Sequence, residues 1–111
     1  MKKVSKPVVY KMKYSREDAQ NLDYKIKNDV TVKEENQKYL IDYPTVYVIT
    51  SKKNNYYTVY VGETNNIKRR TLEHIDIDPE IREDWDQLKK LKDAEMYIIG
   101  HEHFNKSLTL D

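Results

Sequence analysis

Two short runs constrain this chain most: "TVYVIT" at 45–50 and "YYTVYV" at 56–61, with "SKKNN" between them. Both runs are β-branched and aromatic almost throughout, the residue types that fit a pleated, packed surface. The connecting stretch holds two asparagines, which tolerate the backbone angles of a tight reversal. Strands joined by about five residues form an antiparallel hairpin. Pro44 stands just before the first run, where a missing N–H costs no ladder bond. Both strands are apolar on both faces, so the hairpin is expected to lie inside its sheet and be covered. "EMYIIG", 95–100, reads as a third strand. The expected fold is a small α+β domain: a central three-stranded antiparallel sheet flanked by helices.

Around this hairpin the helical signals are shorter. "SREDAQNLDYKIKND", 15–29, predicts one helix, with Ser15 as N-cap, acids in the first turn and Ala19, Leu22 and Ile26 at helical spacing. Val8 to Met12 reads as a short strand, and Tyr39-Leu40-Ile41 as part of a second helix. A third helix is expected over 65–75, capped by Thr64 or Asn65. "EDWDQLKKLKDA", 83–94, is weakly helical, with Trp85, Leu88 and Leu91 three apart. These signals divide the chain into an N-terminal extension, 1–43, and a core, 44–111.

Bulk properties narrow the function. A chain of 111 residues encloses one modest core. Its mean hydropathy is −0.95, very polar, yet ten tyrosines and many β-branched residues argue against disorder. With a net charge of +1, any affinity for nucleic acid must come from local clusters. The absence of cysteine excludes disulfides, thiol catalysis and cysteine zinc sites. No apolar run approaches ~18 residues, and the basic start lacks an apolar signal core, so a cytoplasmic protein without a membrane span is expected.

One junction is not explained by packing alone. In "YVGETNNIKRRTLEH", 60–74, Gly62 closes an apolar run, and Arg69, Arg70 and His74 follow. On a helical wheel Ile67, Thr71 and Ile75 share an arc of about 80°, the buried side. Arg70 and His74 lie four apart on its flank, at the rim of the core. Arg69 and Glu73 lie farther round and can pair in solvent. Tyr47 and Tyr60, in facing strands, are cross-strand neighbours in this scheme. Rim residues and core aromatics account for each of these groups singly. Gly62 and Gly100 each end a strand, where glycine allows a tight turn or a close approach.

Taken together, "TVY" at 45–47, "YVG" at 60–62, an arginine eight residues past the glycine and a histidine four further on resemble the GIY-YIG nuclease superfamily. The resemblance spans residues 44–75. "MYIIGHEHFNKS" looks like the subgroup in which such a domain precedes a Schlafen-like helicase/ATPase region in bacterial proteins. By this resemblance Tyr47 and Tyr60 are the motif tyrosines, Gly62 the closing glycine, Arg70 the catalytic arginine and His74 the histidine that follows it. Thr45 replaces the usual first glycine, and Glu63 stands where relatives carry lysine or a small residue.

The resemblance implies metal-dependent hydrolysis of DNA phosphodiester bonds. One divalent ion, Mg²⁺, would neutralise charge at the scissile phosphate. A planar guanidinium suits Arg70 to the phosphate. Either tyrosine could take the proton of the attacking water, with His74 positioning it. The family's metal-binding glutamate follows the third strand on a helix. Here that helix begins at Ser107, four residues before the last, so this stretch is expected to stop short of the ligand, leaving the metal ligand unknown and the isolated chain nearly inactive. Sheet surface left open would then favour pairing of two chains. Lys52, Lys53, Lys68 and Arg69 are the expected DNA contacts, with Lys89, Lys90 and Lys92 beyond them. His101 and His103 offer a rival metal site, although two ligands are too few for zinc. The competing reading is a catalytically silent nucleic-acid-binding or partner-docking module on the same fold.

Overall fold

The computed structural model describes residues 6–53, 56–76 and 93–104. The helices expected at 83–94 and from Ser107 lie outside them, apart from Asp93 and Ala94 at the end of the first. So do Lys89, Lys90, Lys92 and the side chain of Lys53. The elements are β1 (Val8–Lys13), α1 (Arg16–Gln20), α2 (Leu22–Lys27), α3 (Gln37–Ile41), β2 (Thr45–Lys53), β3 (Tyr56–Thr64), α4 (Ile67–Asp76) and β4 (Glu95–Gly100). No described helix is long and apolar enough to cross a membrane.

Among the described residues the sheet has four strands rather than three, in the order β1-β4-β2-β3, and every neighbouring pair is antiparallel. The N-terminal strand is the addition. Tyr10 and Met12 alternate with exposed Lys11 and Lys13, the pattern of a half-buried strand, and β1 pairs with β4 from Val8↔Gly100 to Lys13↔Glu95. β2 is central, and its register sets Tyr47 opposite Gly62 on one side and Ile98 on the other.

The predicted first helix is two. Ala19, Leu22 and Ile26 are fully buried as their spacing required, but the chain breaks at Asn21, at φ −99° and ψ 14°. The Asn21 amide donates to the Glu17 carbonyl at 3.0 Å, a local bond that competes with helix continuation. Ser15 caps α1 as expected, accepting from the Asp18 amide at 3.2 Å.

Tyr10, Met12, Tyr47, Ile49, Met96 and Ile98 point to one face of the sheet and bury against Leu22, Ile26, Leu40, Ile67 and Ile75. The hairpin is therefore not covered on both sides as expected. Tyr57, Val59 and Val61 on β3 are 69%, 58% and 61% exposed, and Val9 on β1 is 54% exposed. The second glycine serves close approach: a Cβ at Gly100 would meet the Tyr39 carbonyl of α3.

Candidate active site

β3 does not end at Gly62. It continues to Thr64, pairing Gly62 with Tyr47, Glu63 with Val46 and Thr64 with Thr45. Side chains alternate between the faces of a strand, so Tyr60, Gly62 and Thr64 share the core face with Tyr47, and Glu63 faces the other way. The Glu63 carboxylate is thus on the far side of the sheet from the motif tyrosines.

Gly62 is required for space, not for an unusual backbone angle. A Cβ built on it would strike the Tyr47 hydroxyl and Cζ, and would stand 2.9 Å from Cε2. The ring of Tyr47, 2% exposed, lies across the position where residue 62 would carry a side chain. Tyr60 is half-buried, and its ring stacks on that of Tyr47 with centroids 6.4 Å apart at 21°. The two tyrosines are diagonal neighbours, since Tyr60 pairs with Ile49.

α4 brings the third ring. Its start is fixed by Asn66, whose Oδ1 accepts from the Arg69 amide at 3.0 Å, while Thr64 Oγ1 accepts from the Asn66 amide at 3.1 Å. The cap is therefore Asn66, with Thr64 holding the turn before it. Ile67, Thr71 and Ile75 are buried, as the wheel predicted. His74 was expected at the core rim but is fully buried. Its Nε2 lies 2.7 Å from the Tyr47 hydroxyl, and its ring stands edge-on to Tyr60 at 6.0 Å and 68°. With Nε2 bare the phenol donates to it; with Nε2 protonated the imidazole donates to the phenol oxygen. A phenol–imidazole couple of this kind can pass a proton either way.

Arg70 sits one turn before His74, with its side chain 25% exposed. Its Nη1 donates to Glu73 Oε2 at 3.0 Å. The expected Arg69–Glu73 pair is also present, Nε to Oε1 at 3.2 Å. Arg69 Nη2 further donates to Asn65 Oδ1 at 3.3 Å. The Arg70 contact was not anticipated, although the spacing of three along a helix is a signal for it.

Of the expected DNA contacts, Lys68 and Arg69 line a groove of about 410 Å³ with Asn66, Leu72, Glu73 and Asp76. Lys52 lies on the open face, its Nζ 5.4 Å over the Tyr57 ring. His101 and His103 bring their rings within 5.1 Å, and the His103 amide donates to His101 Nδ1 at 3.1 Å. Among the described residues no three acidic, histidine or cysteine side chains converge to hold a metal ion. Glu73 has a guanidinium on each oxygen. The described residues by themselves do not fit a divalent ion.

A buried phenol–imidazole pair, a glycine slot opposite it and an arginine one turn away stand in the order in which the sequence presents them. The profile of the GIY-YIG catalytic domain matches residues 43–107, more than half the chain. The chain belongs to that family. All of β2, β3 and α4 fall inside the matched stretch, and GIY-YIG domains are nucleases. No curated protein and no solved structure matches the chain. Within the GIY-YIG frame, Tyr47, Tyr60 and His74 form one contiguous cluster, Arg70 borders it on the same helix, and Lys52 stands apart.

Proposed function

We propose that this GIY-YIG domain hydrolyses DNA phosphodiester bonds, with Tyr47 and His74 as the proton-handling pair and Arg70 as the phosphate-binding cation. The observation that carries this reading is the 2.7 Å contact between the Tyr47 hydroxyl and His74 Nε2. A buried phenol held by a buried imidazole has a partner that can take its proton as the phenol accepts one from water. Tyr60, stacked beside Tyr47 and half-buried, is the ring of the three that reaches the surface, where it borders the substrate. Arg70 offers a planar array of donors whose charge is fixed at every working pH, suited to charge growing on phosphate oxygens. Dependence on a divalent ion belongs to the reading, as does a helicase/ATPase region beside the domain, suggested by "MYIIGHEHFNKS".

The test is plasmid cleavage by the full-length native protein, with and without Mg²⁺. Wild type is expected to nick DNA only with the metal. Arg70→Ala should lower turnover by roughly a hundred- to a thousandfold, the usual loss for one charge-stabilising group. Arg70→Lys should recover part of it, since the charge returns without the fork. A folded wild type that binds DNA but never cuts it would establish the silent binding module instead.

A further inference from the structure

We infer that Glu73 is a positioning residue for Arg70: it holds the guanidinium at the edge of the aromatic cluster before substrate arrives. This role rests on the nuclease reading given above. Each oxygen of the Glu73 carboxylate takes a different guanidinium, Oε1 that of Arg69 at 3.2 Å and Oε2 that of Arg70 at 3.0 Å. Arg69 is in turn tied to Asn65 Oδ1 at 3.3 Å. The result is a continuous polar chain, Asn65–Arg69–Glu73–Arg70, running along the outer flank of α4. It starts immediately after Thr64, a fully buried residue at the end of β3, so its first link is fixed to the sheet.

Arg70 occupies the helix flank between Glu73 and His74, three residues from one and four from the other. A long arginine there has many rotamers, and the bond to Glu73 selects among them. Sharing Glu73 between two arginines leaves the trio itself with a net positive charge. These side chains are partly exposed, and ion pairs in contact with solvent contribute little to folding, so stability alone does not account for the arrangement.

The experiment is a double-mutant cycle in the full-length native protein, with single-turnover DNA cleavage as one readout and the Arg70 side-chain N–H resonance of the same protein, ¹⁵N-labelled, as the other. Glu73→Ala is expected to lower the cleavage rate roughly ten- to a hundredfold through misplacement of one group, with KM changed far less. Glu73→Gln, whose amide oxygen still accepts from Nη1, should restore most of the rate. In an Arg70→Ala background the Glu73→Ala change should have no further effect. The Arg70 resonance should broaden in Glu73→Ala and stay sharp in Glu73→Gln. An undiminished Glu73→Ala penalty in the Arg70→Ala background would overturn the role and leave the nuclease reading standing. So would faster cleavage or tighter DNA binding by Glu73→Ala, which would make the carboxylate a competitor of phosphate. A wild type whose Arg70 resonance ignores added duplex DNA, and which cuts nothing, would overturn the nuclease reading and this role with it.

Discussion

The two faces of β3 use similar residues for opposite ends. On one, Tyr60, Gly62 and Thr64 turn toward Tyr47 and His74; on the other, Tyr57, Val59, Val61 and Glu63 turn outward. Both carry tyrosine, and the outward one is the more apolar, with two valines. Only the first is knitted into the core, through the contacts of the Tyr60 ring with Tyr47 and His74. Apolar character alone therefore does not mark the working side of this strand. What marks it is the residue that is missing, the side chain of Gly62.

The sharpest way to break the comparison is Tyr47→Phe. It keeps the ring and its stacking but removes the hydroxyl that meets His74. Cleavage should fall by roughly a hundred- to ten-thousandfold, the range for a positioned proton-transfer group. Stability should fall by about 1–3 kcal/mol because a buried imidazole loses a hydrogen-bond partner. Urea unfolding separates the two effects, and a fully active Tyr47→Phe would remove the pair from the chemistry.

Gly62→Ala tests the slot. Alanine should gain about 0.5–1 kcal/mol over glycine in a strand. Overpacking a filled site costs about 1–3 kcal/mol, and the neighbour that must move is an anchored ring, so the collision should win. The expected result is a lower urea midpoint together with reduced cleavage. On the opposite face, Val61→Thr should change stability by no more than about 0.5 kcal/mol and leave cleavage untouched. A Val61→Thr penalty as large as that of Gly62→Ala would show that the outward face is packed in the working protein.

The smallest effect concerns Lys11, on the outward face beside Glu95 at 2.7 Å. Its hydrogen bond to Glu95, and then the charge of Glu95, hold its ammonium above the usual value of 10.5. A raised pKa in the folded state adds stability that is complete below 10.5 and is lost as pH climbs past it. Lys11→Met should therefore flatten the alkaline part of the stability profile slightly, as read from urea midpoints taken on either side of 10.5, without altering cleavage.

Much of the site was legible because its parts are local. The hairpin follows from two β-branched runs and a turn, and the placement of Ile67, Thr71 and Ile75 follows from helical spacing. Four motif residues in order identified the family. Other features depended on what the chain meets at long range. Val8 to Met12 read as a strand, but nothing nearby indicated that it would join β4, nearly ninety residues on. The apolar alternation of Val59 and Val61 looked like burial because a sequence does not state which face has a partner. Gly62 looked like a strand end because glycine usually interrupts strands; here β3 runs through it, made necessary by a ring from another strand. The flank position of His74 predicts a rim residue, because helical spacing does not reveal the phenol waiting inside. The spacing of four pairs Glu73 with Arg69 and says nothing of its second oxygen.

The glycine slot also bears on how the hairpin finds its pairing. Strands this rich in valine and tyrosine have several alignments of similar apolar quality. A slip of one residue would turn every side chain of β3 to the wrong face. A slip of two would keep the faces right but set Tyr60 or Thr64 opposite Tyr47, filling the one position its ring can cross. Only the alignment with Gly62 opposite Tyr47 admits the ring, and that same alignment carries α4 and His74 up to the phenol. Correct strand pairing and assembly of the site are then a single event, and a misaligned hairpin arrives at the folded state, if at all, without its chemistry.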